Sequence, residues 1–341
     1  MNDHKTIADI ARLAGVSSAT VSRVINGQIG NRSKVKQRVM KVIEETSFQP
    51  NSVAQTLALQ HSGFIGIIFP NSMTSVLSQP YYVKTIESVT LACNQHDYNL
   101  VLFLSQSVAD EEKIFSKVGR PGMLDGLIAS VGCVNGERLI PMVKEARLPV
   151  VLAGRCDGLD SFSYVDIDNV NAAFNAVQHL LSLGRKRVAT ITGPLNVTDG
   201  CDRLEGFRRA LISRGLPVDE DLIVEGDYSE RTGYYSTRRL ISKGIDGIFA
   251  ANDEMAIGAI RAVQESGLSV PKDIAIIGFD DIAASSTINP PLTTVRQPLG
   301  TFGNKLVELL IDQIENPDKM PRKIVLDTEL VIRQSCGETM W

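Results

Sequence analysis

From residue 64 onward the chain alternates largely apolar runs of strand length with stretches of helical character, and this rhythm constrains the fold more than any other feature. The runs are FIGIIF (64–69), NLVLFL (99–104), DGLIA (125–129), PVVLA (149–153), RVATIT (187–192), DGIFA (246–250) and DIAIIGF (273–279). A strand with one wet face alternates apolar and polar residues, whereas continuous runs suit strands covered by helices on both faces. Helix-linked strands of this kind join by right-handed crossovers into parallel sheets. DGLIA and DGIFA resemble each other, which predicts two similar lobes, each a doubly wound parallel sheet. A ligand crevice is then expected at the strand C-termini, between the lobes.

At 341 residues the chain is too long for one ordinary core and fits two or three domains. With 43% hydrophobic and 22% charged residues it has the balance of a folded globular protein. Its net charge of −4, taken as an average, argues against a nucleic-acid partner, but the average conceals a split. Residues 1–60 carry 8 Lys/Arg against 4 Asp/Glu, or +4, which leaves 27 against 35, or −8, for residues 61–341. A basic head on an acidic body fits a nucleic-acid grip joined to a soluble regulatory module. No basic segment followed by an apolar stretch opens the chain, and no apolar run approaches the ~20 residues of a membrane span. A cytoplasmic, nucleoid-associated protein without a membrane partner is therefore expected. Cys93, Cys133, Cys156, Cys201 and Cys336 are scattered, without C-x-x-C or a histidine at ligand spacing, which predicts reduced structural thiols and no metal.

Residues 6–46 read as three short helices. Thr6 can cap the first with Asp9 as its acidic partner, Ile7, Ile10, Ala11 and Ala14 form the apolar stripe, and Gly15 ends it. Ser17 opens a second helix, with Val21, Val24 and Ile25 inward and Asn26-Gly27 at its close. Ser33 opens a third that buries Val35, Val39, Val42 and Ile43. The next segment, FQPNSVAQTLALQHSG, is polar, with one weak stripe of Val53, Ala54 and Leu57. So little apolar surface is marginal for a free helix, because nucleation is costly. It reads as a linker that folds only against something else.

A first helix bracing a second across a tight turn is the helix-turn-helix arrangement, in which the outer face of the second helix fits the DNA major groove. Here the turn falls at Gly15-Val16, and removing the inward residues leaves Ser18, Ala19, Ser22 and Arg23 facing out. Arg23 can place a two-pronged donor on guanine O6/N7, the Ala19 methyl can touch a thymine methyl, and Ser18 discriminates less. Hydroxyls of Thr6, Ser17, Thr20 and Ser33 fall near helix starts, where phosphates are commonly met. Asn26 completes the candidate DNA contacts of the head.

The run VSSATVSRVIN, followed after a third helix by PNSVAQTL, resembles the lactose/galactose repressor (LacI/GalR) family. The likeness continues through VDIDN at 165, LGRKRVATITG at 183, DRLEGF at 202, AANDEMAIGA at 250 and IGFDDI at 277. It implies an all-α helix-turn-helix head over residues 1–47, a hinge helix over 48–62, and an α/β effector-binding and dimerisation domain over 63–341. That domain resembles the two-lobed periplasmic sugar-binding proteins, with a first lobe at about 63–163 and 294–323 and a second at about 164–293 and 324–341. The implied function is that of a DNA-binding repressor of carbohydrate-metabolism genes. It would bind a pseudopalindromic operator as a homodimer and answer to a small effector between the lobes. Asn51, Ala54 and Leu57 match the family's hinge-helix contacts, Leu57 being the wedge that opens a base step in the minor groove. An apolar wedge can do so, because the contacts a bent duplex permits offset the unstacking.

By the same resemblance, Arg203, Asn252 and Asp280 fall where the family hydrogen-bonds its ligand. Tyr228 falls where an aromatic ring packs on it, and Tyr81 and Tyr82 on the loop that covers it. The set suits a polyol: Asp accepts from hydroxyls, Asn donates and accepts, and Arg supplies a rigid fork. One departure stands out. In PVVLAGRCD, Gly154 holds the place where many relatives carry a ligand-reaching Asp, and Arg155 follows it. Arg155 can face an anion, so a sugar, a sugar acid and a sugar phosphate all stay open as effectors.

Other function classes fit less of the chain. His4, His61, His96 and His179 belong to no nucleophile or metal motif, and neither G-x-G-x-x-G nor a Walker A pattern occurs, so no catalytic residue and no cofactor is expected. A stand-alone solute-binding protein would leave the first 60 residues unexplained. A protein corepressor, which acts in some family members, stays open as a partner. The end RQSCGETMW lacks leucine heptads, so a dimer is expected in place of a tetramer.

Overall fold

The computed structural model describes residues 5–25, 29–30, 33–46, 48, 61–69, 73–105, 107–120, 122–130, 148–156, 158 and 161–337. The chain divides into two compact units, Met1–Ser62 and Gly63–Trp341.

The first unit is built from α1 (Ile7–Ala14), α2 (Ser18–Ile25) and α3 (Lys34–Thr46). Helix α1 begins where Thr6 and Asp9 complete both halves of a capping box: the Asp9 amide donates to Thr6 Oγ1 at 3.3 Å and the Thr6 amide to Asp9 Oδ2 at 3.0 Å. It ends at Gly15, whose φ of 62° lies in the left-handed region that glycine enters without strain. Ahead of α2, Ser17 Oγ accepts the Thr20 amide at 3.2 Å. Ile10, Ala11, Ala14, Val21, Val24 and Val39 form one core, while Val35, Val42 and Ile43 lie half-buried at its margin. Phe48, which the polar pattern groups with the linker, is buried in that core and belongs to the head. A single aromatic ring supplies a large share of the apolar surface in a cluster this small.

The second unit opens with β1 (Phe64–Phe69), α4 (Met73–Ser78), α5 (Pro80–Gln95), β2 (Asn99–Leu104), α6 (Val108–Val118), β3 (Gly126–Ser130), β4 (Val150–Ala153) and β5 (Ser163–Ile167). There follow α7 (Asn169–Ser182), β6 (Val188–Thr192), α8 (Thr198–Ser213), β7 (Ile223–Glu225), α9 (Glu230–Ile241), β8 (Gly247–Ala250), α10 (Asp253–Glu265) and β9 (Ala275–Asp280). The chain closes with β10 (Thr293–Arg296), α11 (Leu299–Glu315), β11 (Lys323–Leu326) and β12 (Glu329–Val331). The first sheet runs β11-β5-β4-β3-β1-β2, all parallel. The second runs β12-β10-β9-β8-β6-β7, parallel except for β12, which lies antiparallel on the edge.

The two lobes expected from the repeat are present, and DGLIA and DGIFA fall on β3 and β8, which hold the same place in their sheets. Their aspartates also do the same work. Asp125 accepts the Gly63 amide at 2.7 Å ahead of β1, and Asp246 accepts the Lys186 and Arg187 amides at 2.8 Å each ahead of β6. Strands β5, β7, β10, β11 and β12 escape the hydrophobic pattern for two reasons. Four are edge strands or alternate in burial, and β10 buries two threonines whose hydroxyls pair with the Arg333 amide and with Asp253. The lobe boundaries shift accordingly. The chain passes between the sheets at 168, at 297–298 and at 327–328, each a few residues beyond the position inferred from sequence, because a strand stays with its hydrogen-bonded ladder to its end.

Among the described residues no helix is long and apolar enough to cross a membrane and no His/Cys/Asp/Glu group could hold a metal ion. Cys93, Cys156, Cys201 and Cys336 form no disulfide; Cys133 lies outside the described residues.

Candidate functional site

On α2 the side chains of Ser18, Ala19 and Arg23 are exposed and Ser22 is half-buried, the arrangement a reading face requires. Three of the four hydroxyls proposed for phosphates, those of Thr6, Ser17 and Thr20, are already engaged. Thr6 Oγ1 donates to Asp9 Oδ2 at 2.8 Å, and Ser17 Oγ and Thr20 Oγ1 share a hydrogen bond of 2.9 Å, so a phosphate contact from Thr6 has to replace its bond to Asp9. Ser33 begins α3, its carbonyl accepting the Gln37 amide at 3.1 Å. Asn26, Asn51, Ala54 and Leu57 lie outside the described residues.

In the second unit a cleft of about 450 Å³, open to solvent, forms where the second sheet's strands end and α5 of the first lobe begins. Gln79, Pro80, Tyr81 and Tyr82 line it from the first lobe, and Asp199, Arg203, Tyr228, Asn252, Glu254, Asp280 and Ile282 from the second. Pro80 at the first position of α5 sets the helix start and so the placing of both tyrosines. Tyr82 packs edge-on against Phe69 at the end of β1, with ring centroids 5.3 Å apart, and Tyr81 against Tyr82 at the same separation. Burial, reinforced by Asp199, holds the Tyr81 phenol well above its ordinary range, so it remains neutral.

Arg203, on α8, is buried and largely committed. Its Nε donates to Asn169 Oδ1 at 2.9 Å, its Nη1 to the Ala251 carbonyl, and its guanidinium carbon lies 3.7 Å from the centre of the Phe279 ring. Asn252 caps α10: its Oδ1 accepts the Met255 amide and its Nδ2 donates to the Tyr228 carbonyl, both at 2.9 Å. The amide read as a ligand group therefore also positions the tyrosine. Tyr228, in the left-handed region at φ 66°, donates its hydroxyl to Asp199 Oδ2 at 2.9 Å. A Cβ on Gly193 would stand 2.1 Å from that hydroxyl, so only glycine leaves room for the ring.

Asp280 ends β9 at φ 116° and Asp281 follows at φ 54°, two unfavourable conformations in succession. The turn is held by Asp253, which accepts the Ile282 amide at 2.9 Å and the Ser285 hydroxyl at 2.6 Å, and by Arg296 and Arg333, which grip Asp281 at 2.7 and 2.6 Å. Asp280 Oδ1 accepts from Gln297 Nε2 at 2.6 Å. Burial pushes its pKa up to about 8 against the opposing pull of Arg203, which leaves the acid mostly protonated at neutral pH. Burial likewise raises Asp253 to about 6, against the hydrogen bonds it accepts.

Six of the seven effector candidates thus converge, and Arg155 does not. Its Nη2 donates to both carboxylate oxygens of Asp202 at 2.7 Å, and its Nε lies 3.9 Å from Asp166. In this structure Arg155, read from sequence as a partner for an anionic effector, is engaged by a carboxylate on the opposite lobe. Sequence reading also missed Gln79, Pro80, Asp199, Glu254 and Ile282. Asp199 carried a signal, since it stands one helical turn before Arg203 and shares its face. Glu254 and Ile282 adjoin the AAND and GFDD motifs, while nothing local marked Gln79.

Residues 6–51 match the bacterial regulatory proteins of the lacI family, and residues 177–336 match the periplasmic binding protein-like domain. The HTH-type transcriptional regulator CelR of Thermobifida fusca is 33% identical over 334 residues, covering 97% of this chain and 98% of that protein. The solved complex of the transcriptional regulator CelR with cellobiose is similar with a TM-score of 0.76 and 32% identity, over 97% of this chain and 99% of that one. The lac repressor dimer bound to operator and the anti-inducer ONPF is similar with a TM-score of 0.86 and 27% identity, over 97% and 99%. A helix-turn-helix head joined to a two-lobed ligand-binding fold defines the class of DNA-binding transcriptional regulators. This chain belongs to the LacI family of that class.

Proposed function

We propose that the protein is a homodimeric repressor of carbohydrate-metabolism genes that binds a pseudopalindromic operator and answers to a sugar or sugar derivative held between its lobes. The observation that carries this reading is the pairing, in one chain, of an exposed reading helix with a cleft where Arg203, Asp280 and Tyr228 converge with Tyr81 and Tyr82. Relatives lend support: one solved structure is a regulator complexed with cellobiose, and another is a dimer on its operator. Arg23 reads a base edge, Ser18, Ala19 and Ser22 complete the groove contact, and Asn51, Ala54 and Leu57 serve the hinge contact in the minor groove. Residues 63–341 also make the dimer. The protein acts in the cytoplasm, where its DNA lies, and catalyses no reaction.

Effector and operator then compete or cooperate through the relative position of the lobes. By linkage each changes the affinity of the other by the same factor, worth about 1–3 kcal/mol in typical cases. Footprinting on genomic fragments tests the reading. The full chain is expected to protect two symmetric half-sites, with an affinity that sugars alter, and a chain beginning at Gly63 is expected to protect none. Equal protection by both chains would overturn it.

A further inference from the structure

The charges around the interlobe cleft are unequal. Its described lining holds one cation, Arg203, against three carboxyls, Asp199, Glu254 and Asp280. That cation is largely spent on Asn169, the Ala251 carbonyl and the Phe279 ring. Its remaining nitrogen, Nη2, lies 3.9 Å from Asp199, so an incoming anion has to share it with a carboxylate already there. Arg155, the other guanidinium that sequence brought to this region, is outside the lining and bound by Asp202.

Helix N-termini are the usual alternative for holding an anion. Three described helices begin at this cleft: α8 and α10 each carry a lining carboxylate in the first turn, Asp199 and Glu254, with Asn252 capping α10 as well, whereas α5 starts at Gln79-Pro80 with no acid in its first turn. Among the described residues the protein's own acids thus occupy two of the three helix starts where an anion would bind. A negative ligand would be added to an acidic, partly desolvated site, where like charges repel more strongly than in water. Hydroxyl groups meet no such conflict. Asp199 and Glu254 accept from them and Arg203 donates to them. Asp280, mostly protonated at neutral pH, both donates and accepts.

We propose that the effector of this cleft is an uncharged polyol, and that Asp199 and Glu254 exclude the acidic and phosphorylated sugars that the sequence left open. The proposal rests on the cleft being the effector site.

The test is titration calorimetry of the full chain near neutral pH against matched sets that share a skeleton and differ in charge. Glucose is set against glucuronate and a glucose phosphate, fructose against a fructose phosphate, and cellobiose against a cellobiose phosphate. Binding is expected among the uncharged members, with charged counterparts weaker by about tenfold or more. The Asp199→Asn/Glu254→Gln double variant is expected to narrow that ratio; Glu254→Gln alone, at a half-buried position, is expected to narrow it less and serves if the pair does not fold. A charged member that binds as tightly as its neutral partner overturns the proposal and leaves the site standing. Uncharged sugars that bind with undiminished affinity when Arg203→Lys is introduced overturn the site, and the proposal with it. Silence across the whole panel overturns both.

Discussion

Arg155, just past the end of β4, and Asp202, on α8, meet at 2.7 Å and so join the two lobes. Because the guanidinium is 40% exposed, solvent screening limits the pair to about 1 kcal/mol. Arg155→Ala and Asp202→Ala are each expected to lower stability by about that amount in urea unfolding, and the double variant by little more than either alone. The set of sugars bound by Arg155→Ala should match wild type. A changed set would return Arg155 to the effector site.

Asp280 supplies a pH test. Its pKa of about 8 in the fold lies far above the ~4 of an unfolded aspartate, so the folded chain keeps a proton that the unfolded chain releases. The resulting stability is complete below about pH 4 and is lost as pH rises through about 8. Asp280→Asn fixes the neutral form and still accepts from Gln297. Its Tm relative to wild type is expected to climb across that window and level off above it. A difference that does not vary with pH would mean the buried acid is already ionised.

Arg203→Ala removes partners from Asn169 Oδ1 and the Ala251 carbonyl, both buried. Unsatisfied groups of this kind cost about 1–3 kcal/mol each, and a loss of about 2–4 kcal/mol is expected in denaturant unfolding. Operator binding is expected to survive while the response to sugar disappears. A folded variant that still responds normally would show the sensor lies elsewhere.

Arg23→Ala leaves the core of the head untouched, since Arg23 is exposed and the core residues lie on the other face of α2. A loss of about 1–3 kcal/mol in operator binding is expected, together with relaxed preference at one base pair per half-site. A uniform loss across all sequences would instead mark Arg23 as a phosphate contact.

Gly193→Ala forces a Cβ to within 2.1 Å of the Tyr228 hydroxyl. The ring has to move and its bond to Asp199 is lost, so effector affinity should fall about tenfold while DNA binding by the effector-free protein is kept. Unchanged affinity would separate Tyr228 from recognition.

Much of this architecture was legible in the chain itself because the responsible forces act locally. Thr6, Asp9 and Gly15 bound α1 through contacts within a single turn, and the central strands β1, β3, β4, β6, β8 and β9 announce themselves as largely apolar runs. The motifs at 202, 250 and 277 also placed Arg203, Asn252 and Asp280 at one cleft, as family likeness implied.

Tertiary structure alone decided which of those side chains remain available. Arg155 and Asp202 stand 47 residues apart, and no local pattern reveals that one neutralises the other. Asn252 is shared between the Met255 amide and the Tyr228 carbonyl, and Phe48 leaves a polar segment to complete a core. Capping and periodicity are written within a few residues, whereas the commitment of a charge or an amide depends on whatever distant segment folds back against it.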